Sequence, residues 1–239
     1  MTKLTFSSKT INAGSNAKTV KGDDEWLTAI MYLAPFKLSG LGNTCAMAEL
    51  AMCHEPCLNT AGRGKFSNIQ NARIRKTKWF FQDRQSFLDQ LYKDVDKFNE
   101  FCIKHGVKPA VRPNGTTDIR WEIQFVEGKN LFQEFPETQF YDYTKIANRK
   151  MDNIKNYHLT WSYSGANPKY ADMASIAKRN KMNIAVVFRD SNLPRKFLNW
   201  NVIDGDKDDL RFLDPKNSIV GLKAKGKAKS DKSGFVVDV

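Results

Sequence analysis

Three of the chain's four cysteines, Cys45, Cys53 and Cys57, fall within one stretch, "NTCAMAELAMCHEPCLNTAGRGKF", covering residues 43–66. Thiolates are soft ligands, suited to zinc or to the irons of an iron–sulfur cluster. Their spacing, C-x7-C-x3-C, is not a standard zinc pattern. Three thiolates on a four-iron cluster leave one iron open, as a reactive cluster requires. A zinc ion would take a fourth ligand, with His54 nearest in sequence and His105 or Cys102 farther away. The competing expectation is a buried helix over 45–53, in which cysteine serves as a small apolar side chain. Cys102 itself sits on an apolar stripe and reads as core.

A second set of reactive groups stands where apolar runs end. Asp118 closes "KPAVRPNGTTD", Lys145 closes "TQFYDYTK", and Asp204 and Asp206 lie in "VIDGDKDD". Gathered on one rim, such groups suit acid–base catalysis or phosphate binding. Asp204 and Asp206 also have the oxygen ligands a Mg ion prefers, which is the chemistry of a metal-dependent nuclease. The bland alternative is a set of solvated turns.

The third set is cationic. Lys65, Arg73, Arg75, Lys76 and Lys78 run alongside Trp79, Phe80 and Phe81, and Lys223 and Lys225 lie near the C-terminus. Basic residues interleaved with aromatics suit nucleic acid or nucleotide, through phosphate contact and stacking. An amphipathic helix with its aromatics buried would read the same way.

These groups need a scaffold. Apolar residues at three- and four-residue spacing predict helices from Ser67 to His105, with Phe87, Leu88, Leu91, Val95, Phe98 and Cys102 on one stripe and Gly106 as the stop. "DDEWLTAIMYLAP" reads as a short helix ended by Pro35, and "FKLSGLGN" as a short strand and glycine turn. Beyond 107, strand-like runs alternate with loops and with the helical "PKYADMASIAKRNKM". That alternation predicts an α/β fold: a partial (β/α) barrel-like parallel sheet with flanking helices. In such sheets ligands sit at the C-terminal strand ends. Residues 1–35 read as an N-terminal lead-in. Residues 36–239 read as a single α/β domain with the cysteine loop 43–66 and a basic C-terminal loop 221–233.

The chain has 239 residues, a formal net charge of +12 and 41% hydrophobic residues, which supports a packed core and favours polyanionic partners. No run of about 18 apolar residues is present, so no membrane span is expected. The N-terminus lacks a signal peptide's apolar stretch, so a cytoplasmic location with reduced thiols is expected.

In their order and spacing, "LSGLGNTCAMAELAMCHEPCLNTAGRGKF", "QNARIRKTKWFFQDRQSFLDQL", "VRPNGTTDIRWE", "QFYDYTK", "LTWSYSGAN", "NIAVVF", "VIDGDKDDLRFLDP" and "IVGLKAKGKA" resemble the phage "gene product 88" domain family over roughly Phe36 to Phe235. That resemblance implies a phage-type protein in the host cell cytoplasm. A looser similarity is to radical S-adenosylmethionine enzymes, which follow the first strand of a partial α/β barrel with a three-cysteine loop. It implies an iron–sulfur cluster with S-adenosylmethionine as cofactor, although their spacing is C-x3-C-x2-C. Three functional expectations stand together: a cysteine-ligated metal or iron–sulfur enzyme, a basic nucleic-acid-binding protein of phage replication or host takeover without catalysis, and a Mg-dependent nuclease.

Overall fold

The structure, a computed structural model, describes residues 4–16, 19–21, 24–149, 151, 153–190 and 192–239. Its strands are β1 (Phe6–Ser7), β2 (Ile11–Ala13), β3 (Trp26–Met31), β4 (Lys108–Arg112), β5 (Phe125–Val126), β6 (Lys129–Asn130), β7 (Gln139–Thr144), β8 (Tyr157–Ser162), β9 (Asn183–Phe188), β10 (Lys196–Phe197), β11 (Trp200–Asp204) and β12 (Ser218–Lys223). Its helices are α1 (Ser67–Gln82), α2 (Arg84–Lys104), α3 (Leu131–Glu134), α4 (Pro168–Ala171) and α5 (Ala174–Arg179).

Ten strands form one sheet in the order β1-β2-β3-β4-β7-β8-β9-β12-β11-β10, and β5 and β6 form a separate hairpin. The central run from β3 to β11 is parallel throughout. The pairings β1–β2, β2–β3 and β10–β11 are antiparallel. Among the described residues no pairing joins the two edges, so the sheet is open and the expected barrel-like closure is not seen.

From β3 to β9 each parallel strand lies beside its predecessor, so the connections step in one direction. Right-handed crossovers then place their helices on a single face. The stripe Phe87, Leu88, Leu91, Val95, Phe98 and Cys102 of α2 is buried there, as its spacing predicts, in one core with Ala29, Val111, Phe140, Trp161 and Ile184 of the sheet. Each such side chain contributes roughly 1.5–3 kcal/mol of transfer free energy. Asp94 of α2 is also buried; it accepts bonds from the Thr10 backbone N–H (2.8 Å) and Oγ1 (2.7 Å), tying the helix to the start of β2.

β11 skips one place and β12 returns into the gap. That reversal sends residues 205–217 across the opposite face, where Phe212 packs on Trp26 (4.9 Å between ring centroids) and Tyr141 (5.5 Å).

Several expected elements differ. "WLTAIM" is the strand β3, not a helix: a strand buried on both faces reads as an unbroken apolar run, which periodicity cannot tell from a buried helix turn. "FKLSGLGN" forms turns instead of a strand. The segment 1–35, read as a lead-in, supplies β1, β2 and β3 of the main sheet. The loop expected over 221–233 begins inside β12, whose buried Ile219 and Val220 place it between β9 and β11. Among the described residues no helix is long and apolar enough to cross a membrane.

Candidate functional site

The chain leaves β3 at Met31 and turns back through residues 36–52 at the C-terminal ends of the parallel strands. The stretch over 45–53 is a series of turns, which removes the buried-helix alternative. Buried Thr44 fixes its entry: its Oγ1 donates to the Ala34 carbonyl (2.8 Å), and its own carbonyl accepts from the Asp118 N–H (2.9 Å) beyond β4. Ser164 Oγ, just past β8, donates to the Ala51 carbonyl at 2.7 Å. Met52 then takes a left-handed backbone at φ 49°, which turns Cys53 back towards the sheet.

Each thiol has a local anchor. Cys45 Sγ accepts the Phe36 N–H at 3.3 Å. Cys53 packs beside the apolar cluster of Ala224, Ala228, Phe235 and Val236 near the C-terminus. Cys57 caps the 3-10 turn Leu58–Thr60 through the Asn59 N–H (3.5 Å). Asn59 is in turn held by the Arg73 guanidinium, which lies 4.6 Å from the Tyr32 ring centroid. All four cysteines are free thiols, and Cys45, Cys53 and Cys57 are half-buried.

The three thiols are linked electrostatically. Cys57 lies within electrostatic reach of both Cys45 and Cys53, Asp118 acts on Cys45 and Cys53, and Lys145 acts on Cys53 and Cys57. Burial pushes all three pKa values up, and that of Cys45 reaches about 12. Lys145 Nζ points inward, donating to the carbonyls of Ser162 (3.0 Å) and Tyr163 (3.2 Å) above the Phe235 ring at 4.7 Å. Burial lowers its pKa, against the pull of Cys53, Asp118 and Cys57.

Asp118 is buried beside this cluster. Its Oδ1 accepts from Thr144 Oγ1 (2.8 Å) and its Oδ2 from the Lys145 N–H (2.7 Å), with Arg149 Nη1 at 3.5 Å from Oδ1. Both carboxylate oxygens are engaged, so Asp118 joins the ends of β4 and β7 and orients Lys145. Of the residues singled out in the sequence, Asp118 lies within electrostatic reach of Cys45 and Cys53, and Lys145 of Cys53 and Cys57. The Arg149 partner gave no sequence signal, because nothing in "NRK" marks an inward turn.

Among the described residues no group of three His, Cys, Asp or Glu side chains is arranged to hold a metal ion. The thiols as placed therefore do not surround a single zinc. By donor type alone, three thiolates are what a four-iron cluster with one open iron would take.

The other expected residues have their own surroundings. Asp206 pairs with Lys225 (2.6 Å) and accepts the Lys223 N–H (2.9 Å), while Asp204 Oδ1 accepts the Asp206 N–H (2.8 Å). These two carboxylates thus close a turn where β11 ends beside β12. Of the basic set, Lys65, Arg75, Lys78, Lys223 and Lys225 are exposed. Arg73 is corrected to an interior residue that supports Asn59. Lys76 is half-buried, donating to the Thr10 carbonyl at 3.2 Å, and burial lowers its pKa to about 8. A helical face shows only one side to solvent, and these two fall on the other.

The raised Cys45 pKa has a direct test in metal-free protein. Only the thiolate is alkylated, so at pH 8 Cys45 should react with iodoacetamide roughly a hundredfold or more slower than free cysteine, and speed up about tenfold per pH unit. Peptide mass spectrometry over time reads the rate. Alkylation as fast as free cysteine would contradict the buried placement.

A family model described as gene product 88 matches residues 2–239. No curated protein and no solved structure matches the chain.

Proposed function

The chain belongs to the gene product 88 family of phage proteins, and from that premise we propose that it is an iron–sulfur enzyme whose cluster is held by Cys45, Cys53 and Cys57 and whose substrate is a nucleotide or nucleic acid. The observation that carries this reading is that three free thiols share one loop at the C-terminal strand ends, two of them, Cys53 and Cys57, within reach of half-buried Lys145 and the third, Cys45, within reach of Asp118 and Cys57. Parallel sheets place ligands there because loops from several strands meet at that edge.

A cluster with three protein thiolates supplies one iron open to a small molecule, and one-electron chemistry with it. S-adenosylmethionine is the cofactor to test first. The chain's own residues prepare the site. Thr44 and Ser164 fix the loop against the sheet. Asp118 sets the path of the chain at Lys145. The Lys145 ammonium offsets part of the negative charge that thiolates bring into a buried place. Phe235 and Tyr170, on either side of that ammonium, limit access of water.

Anaerobic purification followed by iron and sulfide analysis tests the reading. Roughly four irons and four sulfides per chain are expected, with the broad visible absorbance of a cluster. Colourless, iron-free protein after reconstitution with iron and sulfide would overturn it, and so would stoichiometric zinc in its place.

A further inference from the structure

Two basic segments far apart in sequence meet beside the cysteines. The 3-10 turn Gly62–Lys65 directly follows the Leu58–Thr60 turn that Cys57 caps. The second segment, the 3-10 turn Gly226–Ser230, follows β12. Lys227 N–H donates to Thr60 Oγ1 at 3.4 Å. Gly226, at φ 57°, lies so close to Ala61 that an added Cβ would stand 2.9 Å from the Ala61 Cβ. Ala228 on the underside is buried in the cluster that also contacts Cys53. The contact is therefore a packed joint that sets the two loops in a fixed register.

The joint gathers exposed cations. Arg63, Lys65, Lys227 and Lys229 are all exposed, and none has an ion pair among the described residues. Lys225 differs, since Asp206 neutralises it. Next to Lys65 stands Phe66, 53% exposed, with the Lys65 ammonium 5.7 Å from its ring centroid. Burial normally claims a phenylalanine, so an open ring among unpaired cations is a stacking platform with phosphate contacts at hand. A duplex hides its base faces, whereas a single strand exposes them.

We infer that this collar binds single-stranded nucleic acid and presents it to the cysteine site, with phosphates on Arg63, Lys65, Lys227 and Lys229 and one base on Phe66. The delivery to a reactive centre rests on the cluster reading; the binding itself does not.

Fluorescence anisotropy with labelled twelve-nucleotide DNA and RNA strands, matched duplexes and a mononucleotide tests it on the full chain. Single strands are expected to bind more tightly than the duplex and the mononucleotide, with affinity falling steeply as salt rises. Replacing Lys65, Lys227 and Lys229 with alanine should weaken binding and flatten the log–log salt slope by roughly two, about 0.7 per lost phosphate contact. Phe66→Ala should weaken binding about 5- to 150-fold and leave the slope unchanged. Both sets lie on the surface, so circular dichroism should match the parent chain.

The inference is overturned if the parent chain binds no strand at low salt, if duplex binds as well as single strand, or if Phe66→Ala binds like the parent. A variant with Cys45, Cys53 and Cys57 all changed to alanine should still bind. In the parent chain, absence of iron after reconstitution with retained binding would thus defeat the cluster reading alone, and absence of binding in an iron-loaded chain would defeat the collar alone.

Discussion

Replacing Cys45, Cys53 and Cys57 together with alanine should yield a folded protein that holds no iron and no sulfide. Among the described residues these three are the thiols at this edge, because Cys102 lies under α2 in the helix-side core. Each is held by a different contact: the Phe36 N–H, the C-terminal apolar cluster and the Leu58–Thr60 turn. Alanine at these half-buried positions removes one sulfur each and leaves the loop's anchors at Thr44 and Ser164 intact. The fold should therefore survive while the centre is lost. Single replacements should also lose the cluster, since two thiolates hold it poorly. Elemental analysis, visible absorbance and far-ultraviolet circular dichroism measure the outcome. Iron retained at full occupancy in the triple variant would place the centre elsewhere.

The largest change in stability is expected at Arg112. This residue ends β4 on the face away from the long helices, under the 205–217 connection. Its Nη1 lies 3.0 Å from Asp209 Oδ2, and its guanidinium sits 4.8 Å from the Tyr143 ring centroid. Both partners of the pair are buried, and Tyr141 Oη also donates to Asp209 Oδ2 at 3.3 Å. Burial works against the Arg112 charge, but Asp209, the two tyrosines and Asp142 outweigh it and hold the guanidinium ionised.

Arg112→Met takes from the buried Asp209 carboxylate the guanidinium 3.0 Å away, and removing one partner of such a pair costs roughly 3–5 kcal/mol. Against a typical total of about 5–15 kcal/mol, that is a large share of the fold's stability. Because well-packed apolar pairs often replace buried ion pairs at little cost, Arg112→Met with Asp209→Leu should recover most of the loss. Urea unfolding of the four proteins measures it. Losses that simply add would show that the two residues act independently, and that the connection is held by Phe212 and Leu210 instead.

Much of this protein was legible in its residues. The α2 stripe was legible because its apolar spacing matches one face of a helix, and burial followed from that match. β4, β7, β8 and β9 were legible because each ends in turn-forming polar residues. The cysteine loop stood out because three of the four thiols fall within thirteen residues.

What stayed hidden depends on contacts between distant segments. β3 passed for a helix, since a central parallel strand has no polar face to give it a period of two. The reversal at β12 had no local signal, because strand order is decided by which edges find each other. The same reversal buries Asp209 against Arg112, 97 positions away, so neither could be told from a surface charge.

Composition and spacing by themselves determined that this is a basic α/β chain with one concentrated set of thiols, because residue type and period act locally. Only the tertiary structure decided that Cys53 and Cys57 come within reach of Lys145 at the strand ends, that Arg73 turns inward while Lys65 stays out, and that the loops around 63 and 227 share one edge. Those outcomes arise from long-range packing, in which burial and hydrogen-bond satisfaction choose among arrangements that local sequence leaves equal in energy.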